Sequence, residues 1–215
     1  MKRILLLTVL MAPVALPAGP ASEIAWTPEL LKFVKSGNPK KGEQLAASCA
    51  GCHGDQGISG IDDFPSLAGQ NANYLYKQLR DYADGYRNHP LMNSVAQGLS
   101  EQDSADVAAW FSSLPPPRNK AAGKQNLARA EKMVEEGDGK RILPPCFVCH
   151  GAKGQGEKMD IPALAGQQAE YFSNTLLDYK KGQRHNDIYS RMRLIVQQLS
   201  DEEIKELAQY YQQLQ

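Results

Sequence analysis

The 215-residue chain is short of several things. It has four cysteines, four histidines and two tryptophans, and its 24 basic residues match its 24 acidic ones. The zero net charge gives no footprint for a nucleic-acid partner, and none is expected. Four cysteines in an exported protein could make two disulfides, but that reading does not need the histidine that follows each C-x-x-C pair. A single structural zinc is excluded by spacing, because 93 residues separate Cys52 from Cys146 and zinc ribbons use far shorter gaps. No run approaches the ~20 apolar residues of a membrane span. The longest apolar stretch, Ile4 to Ala12, follows Lys2 and Arg3 and leads to the small residues Ala18-Gly19-Pro20-Ala21. That pattern reads as a signal peptide over 1–21, which puts the remaining chain in the periplasm with no transmembrane span. Peripheral contact with a membrane stays open. No hairpin signal or alternating strand stands out.

All four cysteines fall in two identical patterns, Cys49-Ala50-Gly51-Cys52-His53 and Cys146-Phe147-Val148-Cys149-His150. C-x-x-C-H is the attachment pattern of c-type haem. The paired thiols become thioethers to one edge of the porphyrin, and the histidine beneath the ring ligates iron. Two haem c groups are therefore expected, held through Cys49, Cys52, Cys146 and Cys149, with His53 and His150 on the metal. Such haem is attached outside the cytoplasm, which agrees with the export signal.

The patterns belong to an internal repeat. At a shift of 97 residues, Pro65-Ser66-Leu67-Ala68-Gly69-Gln70 falls on Pro162-Ala163-Leu164-Ala165-Gly166-Gln167. Tyr74, Tyr82, Gly85 and Arg87 fall on Tyr171, Tyr179, Gly182 and Arg184. Three residues are then inserted after Asp187, and Met92 falls on Met192. A period this long means tandem domains rather than a solenoid. The boundaries are read as 22–114 and 120–215, joined by a stiff proline linker at 115–119. From Ser22 to Pro117 there are 7 basic and 11 acidic residues; from Arg118 onward there are 15 and 13. The first domain is thus the more negative, and its haem should have the lower potential.

The pattern is all-α. Thr27-Pro28 opens a short helix whose apolar face covers the first domain or docks a partner. Helices are expected at Lys40 to Ala50, Asn71 to Asp84, Gly123 to Gly137 and Gln168 to Lys181, from apolar residues three and four apart. Ser100 with Asp103, and Ser200 with Glu203, read as capping boxes for the last helix of each copy. Its inward face is Val107, Trp110 and Phe111 in one copy, and Leu207, Tyr210 and Tyr211 in the other.

The other axial position decides the chemistry. His89 and His185 do not recur between copies, Met159 aligns with Asp62, and Met133 reads as core. Met92 and Met192 recur, 39 and 42 residues after their histidines, and are expected as the second iron ligands. Tyr82 and Tyr179 read equally as core or as hydrogen-bond donors near haem. Arg87 and Arg184 read equally as partners of haem propionates or as solvated helix ends.

A haem histidine, a proline twelve residues on, and a methionine late in a long loop resemble class I cytochrome c. Two such domains, with P-x-L-A-G-Q in each and Q-G-L-S or Q-Q-L-S after the methionine, resemble the di-haem cytochrome c4 family. The resemblance implies an all-α pair of class I domains, each wrapped round one covalent haem. It implies that the carbonyls of Pro65 and Pro162 accept a hydrogen bond from the haem histidines. It also implies an electron carrier rather than an enzyme, passing single electrons from a redox-protein donor to a terminal oxidase or similar acceptor. A cytochrome subunit of a periplasmic dehydrogenase, for example one with a flavoprotein, remains the alternative. A haem peroxidase is disfavoured by the paired methionines.

Overall fold

In the computed structural model, residues 21–118, 127–157 and 159–214 are described. The expected signal segment lies almost wholly outside them. In the first half, α1 (Pro28–Lys35) is capped by the Thr27 hydroxyl, which accepts from Leu30 N at 3.2 Å. Next come α2 (Pro39–Ala46), the single turn α3 (Ala50–His53), α4 (Ala72–Ala83), α5 (Pro90–Gln97) and α6 (Glu101–Ser113). The Ser100/Asp103 capping box is present, and a cap of this kind contributes about 1 kcal/mol. Val34, Leu75, Tyr76, Val107 and Phe111 form the core. The α2 backbone crosses α6 so closely that a β-carbon at Gly42 would lie 2.0 Å from the Asp106 carbonyl oxygen. Lys41 pins the crossing through Asp103 at 2.8 Å and Asp106 at 3.3 Å.

The second half repeats this plan with α7 (Ala128–Glu135), α8 (Phe147–His150), α9 (Ala169–Lys181), α10 (Arg191–Val196) and α11 (Asp201–Gln213). Its core holds Met133, Leu143, Phe172, Leu176, Ile204, Leu207 and Tyr211. The capping box at Ser200 and Glu203 is also formed. Helix α7 packs on α11, and Arg129 grips Glu206 through two bonds of 2.6 and 2.7 Å. The part of the expected Gly123–Gly137 helix before 127 lies outside the described residues. The Lys40–Ala50 segment is not one helix: α2 ends at Ala46, and the haem motif starts its own turn. The second copy differs before its motif, where residues 136–145 make a turn closed by an Asp138–Leu143 bridge. Arg141 fixes that turn through Asp138 at 2.8 Å and Glu203 at 2.9 and 3.0 Å. Two isolated bridges occur and no strand is formed among the described residues.

The 24–36 segment is accounted for within the chain. Ile24, Trp26, Leu30 and Phe33 pack on the first core, and Phe33 meets Tyr76 edge-on at 6.0 Å. Ser22 donates to Asp81 at 2.5 Å, and Tyr86 donates to Glu23. Of its two expected uses, covering the first domain is the one seen.

The two halves meet through reciprocal contacts. Gln70 Nε2 donates to Ala163 O at 2.9 Å, and Ala163 N donates back to Gln70 Oε1 at 2.7 Å. The equivalent pair does the same in the other direction: Gln167 Nε2 to Ser66 O at 3.0 Å and Ser66 N to Gln167 Oε1 at 2.9 Å. Arg87 donates to Tyr171 at 3.2 Å, and Arg184 to Tyr74 at 3.1 Å. Residue i meeting j while j's counterpart meets i's counterpart is the mark of an isologous, two-fold interface. One arm of it is charged and buried. Lys77 pairs with Asp81 and donates to Asn186 O at 2.6 Å, while Asn186 donates to Asp81 at 2.6 Å. The linker threads this seam. A β-carbon at Gly69 would meet Pro116 at 2.8 Å, and one at Gly166 would meet the Pro117 carbonyl at 2.4 Å.

Candidate haem sites

Each motif occupies one helical turn followed by a glycine. His53 N donates to Cys49 O, and His150 N to Cys146 O, both at 3.0 Å. Residues i, i+3 and i+4 of a turn share one face, so the two thiols and the imidazole of each motif lie on the same side. The chain then returns over the histidine because one carbonyl takes two bonds. Gly57 O accepts from Leu67 N at 2.7 Å and Ala68 N at 3.0 Å; Gly154 O accepts from Leu164 N and Ala165 N at the same two distances. Both glycines have φ near +65°, at +69° and +63°, and face the rings of Phe111 and Tyr211. A side chain there would be strained in the backbone and would strike the core aromatic.

The return places a proline carbonyl against each imidazole: His53 Nδ1 lies 2.8 Å from Pro65 O and His150 Nδ1 3.0 Å from Pro162 O. A carbonyl only accepts, so Nδ1 carries the hydrogen and Nε2 keeps its lone pair. Both histidines are buried, and burial lowers their pKa despite the proline bond. They are held neutral, which is the form that ligates a metal. The thiols are half-buried and unpaired. Burial pushes Cys49 up and Cys146 to about 11. Cys49 packs against the first core and Cys146 against the second, so the four cysteines do not form one centre.

Met92 and Met192 are half-buried, on the first turns of α5 and α10, and Met192 packs on the second core. The other candidates are placed differently. Met133 is buried in the core, His89 caps α5 by accepting from Met92 N at 3.3 Å, and Met159 is exposed with φ +68°. Large apolar side chains stand in solvent close in sequence to the ligand candidates: Ile58, Ile61 and Leu91 in the first half, and Phe147, Val148 and Leu194 in the second. Exposed apolar surface of this kind is what an apolar macrocycle covers. Neutral imidazoles with a free Nε2, paired thiols on the same face and apolar walls fit a covalent haem in each half.

The recurring arginines are not solvated helix ends. Arg184 is buried, lies 4.5 Å from the Tyr179 ring centroid and donates to Gln78 at 2.9 Å. Arg87 lies 4.7 Å from the Tyr82 ring centroid and donates to Gln78 at 2.9 Å. Burial alone would raise the Tyr171 pKa, but the Arg87 and Arg184 guanidiniums draw it down to about 8. Tyr82 and Tyr179 are buried platforms for these cations. Sequence reasoning left the tyrosines evenly between core and haem contact, and the arginines between propionates and solvent, and did not see that they, with Gln70 and Gln167, are the interdomain seam. Their recurrence in both copies was the available signal, since a two-fold contact uses each residue twice.

Comparison with known proteins agrees. The cytochrome c family matches residues 39–115 and 137–215. Cytochrome c4 of Pseudomonas aeruginosa is 36% identical over 181 residues, covering 83% of this chain and 90% of the relative. A thiosulfate dehydrogenase electron acceptor of Stutzerimonas stutzeri is 36% identical over 169 residues, covering 77% and 78%. The crystal structure of reduced recombinant cytochrome c4 from Pseudomonas stutzeri superposes with a TM-score of 0.80 at 35% identity, covering 84% of this chain and all of the other. With two class I folds, two haem motifs and a shared seam, the chain belongs to the cytochrome c family as a di-haem electron-transfer protein of the cytochrome c4 type.

Proposed function

We propose that Cys49 and Cys52 bind the first haem and Cys146 and Cys149 the second, with His53 and Met92, and His150 and Met192, as the axial iron ligands. The observation that carries this is the same histidine–proline bond in both halves, with a recurring methionine on the first turn of the second helix beyond each motif turn. Bound iron supplies one-electron chemistry between its ferric and ferrous states. The chain's own part is to hold both axial positions, leaving no place for a substrate. The bond to Pro65 or Pro162 fixes the imidazole plane and strengthens it as a ligand. The domains are taken as 22–114 and 120–215, joined by 115–119.

The protein works in the periplasm, after removal of 1–21, and passes single electrons to a terminal oxidase or similar acceptor. No helix among the described residues is long and apolar enough to cross a membrane. A second reading, service to a dehydrogenase, is favoured by the likeness to a thiosulfate dehydrogenase electron acceptor. That likeness points to a sulfur-compound dehydrogenase as donor, and the two readings then describe the two ends of one transfer. Stopped-flow mixing tests both. Reduction by a thiosulfate dehydrogenase with thiosulfate, followed by oxidation by terminal-oxidase membranes, is expected on the millisecond scale. Slow reaction with both would sink the assignment. A high-spin spectrum with peroxide turnover would favour a peroxidase instead.

A further inference from the structure

Phe111 and Tyr211 are the same residue of the fold in two chemical versions. Each sends its carbonyl to the glycine that closes the P-x-L-A-G-Q turn: Gly69 N to Phe111 O at 2.9 Å and Gly166 N to Tyr211 O at 2.8 Å. Each lays its ring against the glycine whose carbonyl draws the chain back over the histidine, Gly57 and Gly154. Each is almost fully buried, at 2% and 1% exposure. They differ by one hydroxyl. That hydroxyl is buried and has no ordinary hydrogen-bond partner, a costly state for a polar group.

Cys146 packs against the cluster that contains Tyr211. Burial raises the Tyr211 hydroxyl far above its ordinary range, and Cys146 adds to the shift. As a free thiol, Cys146 points its own hydrogen toward Met133 O at 3.9 Å. Haem attachment adds that S–H across a vinyl group: the hydrogen goes to carbon, and the sulfur keeps two lone pairs and no donor. The sulfur is then an acceptor beside a donor that has nowhere else to go. The first domain has no counterpart. Phe111 lacks the oxygen, and Ser48, 4.0 Å from Cys49 Sγ, already donates its hydroxyl hydrogen to Leu45 O at 2.9 Å.

We propose that Tyr211 is a tuning residue: its hydroxyl donates to the Cys146 thioether sulfur and raises the potential of the second haem above that of the first. The donor draws electron density from the sulfur, and through it from the porphyrin, which disfavours the ferric state. The proposal rests on Cys146 being a haem thioether.

The test is Tyr211→Phe in the full-length holoprotein, a change that recreates what the first domain already carries. Haem-methyl resonances followed through a redox titration report the two haems separately. The equilibrium constant for moving an electron from the first haem to the second should fall about threefold, which at about 59 mV per tenfold is roughly 28 mV, with the first haem unmoved. The Raman C–S modes of the wild type should shift in deuterium oxide, and that shift should be lost in the variant. Unchanged potentials, or equal movement of both, would overturn the proposal. Covalent haem is counted in the same sample. Two haems with an unmoved second potential refute the tuning role alone, whereas fewer than two in the wild type refutes the haem assignment beneath it.

Discussion

Arg184, from the second domain, hydrogen-bonds Tyr74 of the first at 3.1 Å, and does so from a site that is 5% exposed. It also reaches Gln78 at 2.9 Å and Asn186 at 3.0 Å. Each bond to a charged donor contributes more than a neutral one, and the groups it leaves behind would be buried without partners. Arg184→Leu should therefore destabilise the holoprotein by about 2–4 kcal/mol. Chemical denaturation followed by tryptophan fluorescence and haem absorbance should change from one transition to two. A single unshifted transition would show that the seam does not couple the halves.

Covalent attachment is checked by chemistry at the thiols. A pyridine haemochrome assay should give two haems per chain, none of it extractable by acidic acetone. Cys146→Ser with Cys149→Ser should leave one haem and a first domain with a normal spectrum. Retention of two covalent haems in that double variant would contradict the assignment.

The methionine ligands have a spectroscopic mark. Oxidised wild type should show the weak far-red iron–sulfur band. Met92→Ala or Met192→Ala should each remove about half of it, since each serves one of two irons, and the double variant should lack it. Met133→Ala should lower stability and leave the band intact. Loss of the band in Met133→Ala would move the ligand to that residue.

Acid should loosen the first domain through its α2–α6 crossing. Lys41, with help from Ser100, holds the Asp103 carboxyl at about 2, below its ordinary 3.8. A lowered folded pKa means this contribution is complete above about pH 3.8 and drains away as pH falls toward 2. Asp103→Asn should flatten the stability–pH slope in that window and leave the slope near neutrality unchanged. Urea titrations at intervals across the window would show it, and an unaltered slope would mean the pair is too exposed to matter.

The charge balance of the halves gives a direction. With 7 basic against 11 acidic residues from Ser22 to Pro117, and 15 against 13 after it, the first haem should be the more readily oxidised. Several surface charges at high effective dielectric amount to about 1–2 kcal/mol, or tens of millivolts to roughly 100. Salt should shrink the gap, whereas the contribution proposed for Tyr211 is buried and should survive it. A first haem at the higher potential would refute the charge argument.

Much of this was legible in the chain itself. The haem motifs, the capping boxes at Ser100 and Ser200 and the apolar faces of α6 and α11 are local patterns, set by spacing of a few residues, and the part of Pro65 and Pro162 followed from the family resemblance. The seam was not legible, although its residues were noticed. Arg87 and Tyr171 are 84 positions apart, and a repeat marks them as constrained without saying by what. Lys77 and Asp81 drew no reading at all, because an i,i+4 pair carries no sign of the Asn186 and Ser22 contacts that reach it from elsewhere in the chain. The turn at 136–145 was invisible for a different reason. It depends on Arg141 finding Glu203 across the domain, and no short pattern encodes that.

Because Gln70 reads Ala163 while Gln167 reads Ser66, each half carries both the key and the lock. A copy of one half laid over the other would keep this reciprocal part of the join and lose one-sided contacts such as Lys77 with Asn186 and Arg184 with Gln78. The molecule therefore separates what duplication supplied from what came afterwards: the mirrored contacts were inherited as a set, and the unmatched ones record how far the twins have since grown apart.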